Sequence, residues 1–372
     1  MSARATAREL FLLDPEVCYL NHGAFGACPR PVFDVYQARQ RELEREPVDF
    51  WRRLGDELAV VRSALADFVG TSADDLALFP NATYGLNAAL RSLELGAGDE
   101  ILTTGHEYGA IELLLEFVCE RTGARVVQAA GIDLDAIWAA KSERTRVLLV
   151  SHITSPTAQL LPVEEMCAAA RAEGVLTVID GAHAPGHVPL DLARLGADFY
   201  SGNCHKWLCG PKGSGFLHVA PERQELVDPL VVGWGYHEPL FALRQDWQST
   251  ADPAAYLAVP AAIEFVREHG RGDECRSLLR EWRRRLADGG FEPLTSEQPL
   301  QMATFVLPAS DPLEVERRLR GEFRIEAPIR NWNGQTLVRV SVAPYNEVED
   351  CERLVEALAA IFEQRLSPSF GG

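Results

Sequence analysis

Only three lysines, Lys141, Lys206 and Lys212, stand among 36 basic residues, and one of them lies in the densest chemical stretch of the chain. Lys206 sits in FYSGNCHKWLCGPKGSG, between His205 and Trp207 and four residues before Gly210. An amine in such surroundings sheds its proton more readily than an exposed one and can then act as a nucleophile or form an imine with a carbonyl. On its own a lysine here is most simply a surface cation. A chain that habitually uses arginine, yet keeps lysine at this position, points instead to a need for an amine. Asp180 ends the apolar run LTVID. A carboxylate at the end of a buried strand needs a cationic partner or hydrogen bonds, and a protonated pyridine nitrogen would supply the cation. Its plainer reading is a cap on the following segment.

These residues need a scaffold that brings strand ends together. From about Asp74 the chain alternates short apolar runs with helical patterns, the mark of βα units and a mainly parallel sheet. Strands are expected at Leu76 to Phe79, Glu100 to Thr103, Arg125 to Gln128, Arg146 to Ser151, Leu176 to Asp180 and Asp198 to Ser201, with a helix at Pro162 to Glu173. In open α/β sheets ligands bind at the carboxyl ends of strands, where Asp180 and Lys206 both fall. The expected organisation is an N-terminal arm (1–30), a large domain (31–255, with a helical lead-in to residue 70) and a smaller α+β domain (256–372). In that last domain, helices are expected at Ala254 to His269, Asp273 to Asp288 and Leu313 to Leu319. Strands are expected near Met302 to Leu307 and Leu337 to Val342. A final helix carries Val348, Cys351, Leu354, Val355, Leu358, Ile361 and Phe362 on one face.

Composition narrows the classes. At 372 residues, 47% hydrophobic and 24% charged, the chain is that of a globular protein with more than one core. Its net charge of -18, with no basic run, disfavours nucleic acid and anionic membranes and leaves a small molecule as the expected partner. The run RQRELERE reads as a solvated helix face. The longest apolar runs are strand-sized and MSARATAREL lacks a signal peptide's apolar core, so a cytoplasmic location is expected. The eight cysteines show no CxxC pair or disulfide-scaffold density. A metal site built from His152, Asp180, His183, His187 and His205 is a competing reading. Pro185-Gly186 breaks the helix that would align His183 with His187, and no HExxH spacing occurs, so no metal is expected. A cofactor-binding module without chemistry is a second competitor, disfavoured because Lys206 and Asp180 are both present.

The ordered motifs NAT, HEYGA, DGAH, HKW with GPKGSG, and RVSVAPYN resemble those of fold-type I pyridoxal-phosphate enzymes of the class V aminotransferase family. The segments LNHGAFGACPRPV and WQSTADPAAYL resemble its isopenicillin N epimerase-like branch. The resemblance runs from about Leu20 to Asn346. It implies an α/β fold-type I architecture with pyridoxal 5'-phosphate as cofactor and Lys206 as the Schiff-base lysine. Asp180 becomes the partner of the pyridinium nitrogen, and the pair makes the ring an electron sink. His183 would bond the ring's phenolic oxygen and Tyr108 would stack on the cofactor face. Ala82 and Thr83 would hold the phosphate at a helix N-terminus, with Asn203 and His205 completing the cradle. Thr250 matches a position that reaches the phosphate of the neighbouring subunit, which implies a homodimer. Arg339 matches the grip on a substrate carboxylate, with Arg330 in reserve. Asn21, His22 and Phe25 are placed on the substrate side.

The chain departs from the family pattern in places. Ser155 stands where many relatives carry an Asn toward the phenolic oxygen, and Ala251 where Arg is common in the branch. The stretch RIEAPIRNWNGQ lacks the loop cysteine of desulfurases, which makes persulfide transfer an unexpected outcome. The implied activity is proton abstraction at the α-carbon of an amino acid by Lys206, with epimerisation as the leading outcome. Tyr108, or a water it orders, is the candidate second acid. A β-eliminating C–S lyase is the alternative, ahead of transamination.

Overall fold

The computed structural model describes residues 5–247 and 249–363. Two compact units emerge: one holds residues 31–155 and 161–267, the other residues up to 30, 156–160 and from 268 onward. Among the described residues no helix is long and apolar enough to cross a membrane.

Among the described residues there are twelve strands: β1 (Cys18–Tyr19), β2 (Leu76–Phe79), β3 (Glu100–Thr103), β4 (Arg125–Gln128), β5 (Thr145–Ser151), β6 (Leu176–Gly181), β7 (Phe199–Asn203), β8 (Gly215–Val219), β9 (Met302–Leu307), β10 (Ile325–Glu326), β11 (Ile329–Trp332) and β12 (Gln335–Ser341). The larger unit carries a seven-stranded sheet in the order β2-β8-β7-β6-β5-β3-β4. Its neighbours pair in parallel except around β8, which is antiparallel to both β2 and β7. The fold is thus α/β, and all six sequence-expected strands of this sheet form. The inner strands are buried on both faces, as parallel strands between helices require: Val147 to Val150, Val178, Ile179 and Phe199 have no exposure, whereas the edge strand β4 leaves Val126 exposed.

Two features of this sheet place the site. The chain steps from β3 outward to β4 and then crosses back to β5 on the other side of β3, so a crevice opens at the carboxyl ends between β3 and β5. The antiparallel return of β8 makes residues 204–214 a loop across the carboxyl end of β7, and Lys206 rides on it. That strand is absent from the sequence reading because glycines and a proline precede it and it is only five residues long.

The helix Ala82–Arg91 packs tightly over β7. A Cβ at Gly85 would come within 2.3 Å of Ser201 Oγ, and one at Gly215 within 2.8 Å of Asn81 Cα, so glycine at both points lets backbone and strand approach. Ahead of the sheet, helices Arg30–Arg45 and Pro47–Val69 carry the charged run on a solvated face, where Arg53 bridges Glu42, Asp49 and Glu57.

The second unit contains a three-stranded antiparallel sheet, β11-β12-β9, and the short parallel pair β1 with β10. The final helix, Val348–Ile361, buries Cys351, Leu354, Val355 and Leu358 completely or nearly so, the face its spacing foretells. Each such aliphatic side chain contributes about 1.5–3 kcal/mol on burial. The strand β11 runs through RIEAPIRNWNGQ, where no strand is expected from the sequence. It forms because Asn333 and Gly334 adopt positive φ and turn the chain into a hairpin with β12. The expected helix over Ala254 to His269 is two helices, Ala254–Leu257 and Val259–His269.

Candidate active site

The carboxyl ends of β3, β5, β6 and β7 bring four chemical groups into one neighbourhood. Asp180 is buried near the end of β6, where its Oδ1 accepts the Ala182 N–H at 2.9 Å. Burial raises its proton affinity, while the Ala182 N–H and the charge of Lys206 pull it back. Lys206 Nζ lies 3.1 Å from His183 Nε2, and Trp207 Nε1 lies 3.4 Å from His183 Nδ1. The Trp207 ring stacks on His187 at 3.9 Å, and His187 Nδ1 meets the His183 carbonyl at 3.1 Å. His183 is thereby clamped by the residue that follows Lys206 in the chain.

The Lys206 loop is held at its base by Cys204 N–H to the Ser214 carbonyl (3.0 Å) and Gly210 N–H to the Cys204 carbonyl (2.8 Å). Cys209 donates its N–H to the Lys206 carbonyl at 3.0 Å and takes a left-handed φ of 60°. A non-glycine residue in that region carries strain, which the surrounding hydrogen bonds must over-determine. His205 turns Nδ1 toward the Ser214 carbonyl at 3.4 Å. Burial first, then the charge of Lys206, lowers its pKa to about 4.

At the start of helix Ala82–Arg91, Asn81 caps through Oδ1, which accepts the Tyr84 N–H at 3.2 Å. The Ala82 N–H donates to Asn203 Oδ1 at 2.8 Å. Two sequence expectations are altered here. The Ala82 donor is engaged by Asn203 and is not left for an anion, and Asn203 reaches the helix end through the oxygen of its amide. Thr83, at the next helical position, follows where first-turn N–H groups lack intrahelical partners.

Tyr108 precedes helix Gly109–Thr122 and is 51% exposed. Ser155 is half-buried beyond β5, and Thr250 is exposed. Gln248, of the WQST motif, lies outside the described residues. Among the described residues no three His, Cys, Asp or Glu side chains gather as metal ligands. His152 meets the Tyr200 hydroxyl at 2.9 Å.

In the other unit, Arg339 lies buried on β12, whereas Arg330 on β11 is exposed and reaches Glu316 Oε1 at 3.3 Å. His22 Nδ1 meets the Tyr345 hydroxyl at 3.0 Å and accepts the Ala27 N–H at 3.3 Å. Asn21 Nδ2 donates to Glu326 Oε1 at 3.4 Å, while its Oδ1 is buried with no partner among the described residues. Phe25 is 62% exposed.

Sequence reasoning missed Glu107 and the clamp formed by Trp207 and His187. Glu107 is buried after β3. Its Oε1 accepts from Thr104 Oγ1 at 2.7 Å and its Oε2 from Ser151 Oγ at 2.6 Å. The signal for Glu107 lies within HEYGA, as an acidic residue just past an apolar strand.

The donor set suits pyridoxal phosphate. A buried carboxylate awaits a cation, a lysine amine sits in the loop beside it, and a capped helix end approaches within van der Waals distance of β8.

Comparison with known proteins agrees. The class-V aminotransferase family profile matches residues 19–275. Isopenicillin N epimerase of Streptomyces clavuligerus is 37% identical, with 95% of this chain and 97% of that one covered. A putative L-cysteine desulfhydrase of Oryza sativa subsp. japonica is 31% identical, with 92% and 82% covered. Among solved structures, a cysteine desulfurase from Escherichia coli superposes with a TM-score of 0.83 at 23% identity, covering 98% of this chain and 99% of that one. At that identity the structural likeness is one of fold. The family match over most of the chain and the relatives above 30% identity place this chain in the class-V aminotransferase family.

Proposed function

We propose that this protein is an amino-acid epimerase that removes and returns the α-proton of its substrate. Pyridoxal phosphate is its cofactor; when bound, it supplies an electrophilic carbon for amines and a conjugated ring that takes up electron density from the α-carbon. The observation that carries the reading is the pairing of Lys206 with His183, with the Lys206 charge acting on buried Asp180, in a chain with near-full-length likeness to isopenicillin N epimerases.

The roles of the side chains follow from their chemistry. Lys206 would hold the cofactor and, as an amine, would take the α-proton. Asp180 supplies the negative charge that holds a proton on the ring nitrogen. His183 orients the Lys206 amine and donates toward the phenolic oxygen, with Ser155 beside it. Thr83 and the helix end attract the phosphate, with His205 beside them and Asn203 fixing the helix at Ala82. Tyr108 covers one face and serves as the second acid that epimerisation requires. Arg339 takes the substrate carboxylate, with Asn21 and His22 toward its side chain. Thr250 completes the site of a neighbouring subunit, so the working form is a homodimer. The same reading places the enzyme in the cytoplasm, acting on a small molecule.

A second reading is supported by the relatives named L-cysteine desulfhydrases, at 28–31% identity. There, loss of a β-substituent as a thiol would follow the same proton removal.

Two experiments test the proposal. Borohydride trapping and peptide mass analysis should place the cofactor on Lys206, and an unmodified Lys206 in fully loaded protein would overturn the site. Proton NMR in deuterated water separates the reactions. Exchange of the α-proton with the skeleton intact and the D-form appearing supports the epimerase, whereas a keto acid and a released thiol mean the lyase.

A further inference from the structure

Glu107 is a buried carboxyl to which the roles above assign nothing. It follows β3, across the crevice from the ends of β5 and β6, and both of its oxygens are held by hydroxyls, Thr104 on its own loop and Ser151 at the end of β5. Ser151 is also the register partner of Asp180, and the next residue, His152, donates its N–H to the Asp180 carbonyl at 2.8 Å. Glu107 and Asp180 therefore share a single intervening residue, in a region closed to water. Serine and threonine hydroxyls can donate or accept, so this cage accommodates Glu107 with or without its proton.

We propose that Glu107 is a positioning residue for the cofactor's ring nitrogen. Fixed by Ser151 and Thr104 beside Asp180, it adds or withdraws a second negative charge and so sets how firmly Asp180 holds the ring proton. The inference rests on the assignment of Asp180 to that nitrogen. The electrostatics agree: burial lifts the Glu107 pKa to about 7, the two hydroxyls oppose the rise, and the charge of Asp180 adds to it. Asp180 is a charged group that acts on Glu107. The imidazoles next along the chain, His106 and His152, are both pushed toward the neutral form by burial. A carboxyl that titrates near neutrality changes charge within the working pH range, where an ordinary glutamate would not.

The test uses holoprotein carrying pyridoxal phosphate labelled with ¹⁵N in the ring, with the ring ¹⁵N shift followed from pH 5 to 9. Wild type should show a transition near pH 7 superimposed on a protonated ring nitrogen. Glu107→Gln should abolish that transition, and Ser151→Ala, which removes a donor to the carboxylate, should move it upward by about one pH unit. Asp180→Asn should lose the protonated signal itself. A transition that persists in Glu107→Gln and does not move in Ser151→Ala would overturn the inference. A protonated ring in Asp180→Asn would instead overturn the assignment of Asp180. If Glu107→Gln does not fold, the direction of the Ser151→Ala shift decides.

Discussion

Lys206 Nζ lies 3.1 Å from Nε2 of His183, on the opposite side of the imidazole from the indole N–H of Trp207. An indole nitrogen can only donate, so Nδ1 of His183 accepts from Trp207. The imidazole is thus fixed on one side by the indole and meets the Lys206 amine on the other. Replacing His183 with Leu removes both bonds and leaves Trp207 Nε1 without this acceptor, whereas Gln restores a side-chain donor and acceptor. At about 0.5–1.5 kcal/mol for a net hydrogen bond, His183→Leu should weaken cofactor binding up to about tenfold, with His183→Gln closer to wild type. Fluorescence titration of apoprotein with pyridoxal phosphate measures this; equal affinity for Leu and wild type would remove His183 from the site.

The bond between Ala82 N–H and Asn203 Oδ1 offers a second test, because it ties helix Ala82–Arg91 to β7. Asn203→Ala strands a buried donor, at a cost of about 1–3 kcal/mol, and should lower the melting temperature by several degrees. Asn203→Asp keeps an acceptor for Ala82 but sets a carboxylate beside the proposed phosphate position. Its melting temperature should stay close to wild type while cofactor affinity falls. If Asn203→Asp binds cofactor as wild type does, the phosphate does not lie at this helix end.

The large sheet was readable because its strands are apolar on both faces, and a run such as Val147 to Val150 has few other uses. Asp180 stood out for the opposite reason, as one carboxylate ending an apolar strand. What the sequence concealed depends on contacts between distant segments. Nothing in Glu107 alone predicts that Ser151, 44 residues on, will hold its carboxyl, nor does the spacing of Ala82 and Asn203 announce that one will spend the other's donor. Short elements were hidden as well. β8 follows a glycine-rich turn and β11 a polar stretch, and each is fixed by its antiparallel partner more than by its own composition.

Stability should respond to acid in a defined direction. Burial lowers the pKa values of His152, His205 and His218 to about 4. Between that value and the ordinary ~6.5 the unfolded chain binds more protons than the native one. The stability from these three residues is thus complete above about pH 6.5 and is lost as pH falls through the window. Glu107, raised to about 7, acts oppositely, since its contribution diminishes as pH rises from its ordinary ~4.3 toward 7. His106 is shifted in the same direction as these imidazoles, and Asp75, Asp180 and Asp246 in the same direction as Glu107; the large imidazole shifts should leave apoprotein melting temperatures falling from pH 6.5 to 4. His218 Nδ1 is buried without a partner among the described residues, so His218→Leu should flatten that slope without loss of stability at pH 7. An unchanged slope in this variant would mean that His218 is protonated in the folded protein.

The two candidate arginines can be separated by what surrounds them. Arg339 is 8% exposed on β12, facing Thr304 of β9 across the sheet, so its guanidinium has been taken out of water. Arg330 keeps most of its hydration and shares a surface pair with Glu316, an arrangement worth about 0–1 kcal/mol. A guanidinium withdrawn from water gains more from each hydrogen bond it makes than an exposed one, and its planar fork matches the two oxygens of a substrate carboxylate. Lysine is the informative replacement at 339, because it keeps the charge and most of the stem while losing the two-pronged donor. With a charge-assisted hydrogen bond worth about 1.5–3 kcal/mol, Arg339→Lys should raise KM roughly 10- to 150-fold and leave borohydride labelling of Lys206 intact. Arg330→Ala should leave KM within about threefold. Steady-state kinetics on both variants decides: a raised KM in Arg330→Ala with Arg339→Lys unaffected would transfer the carboxylate to Arg330, and a loss of kcat alone in Arg339→Lys would make that residue structural.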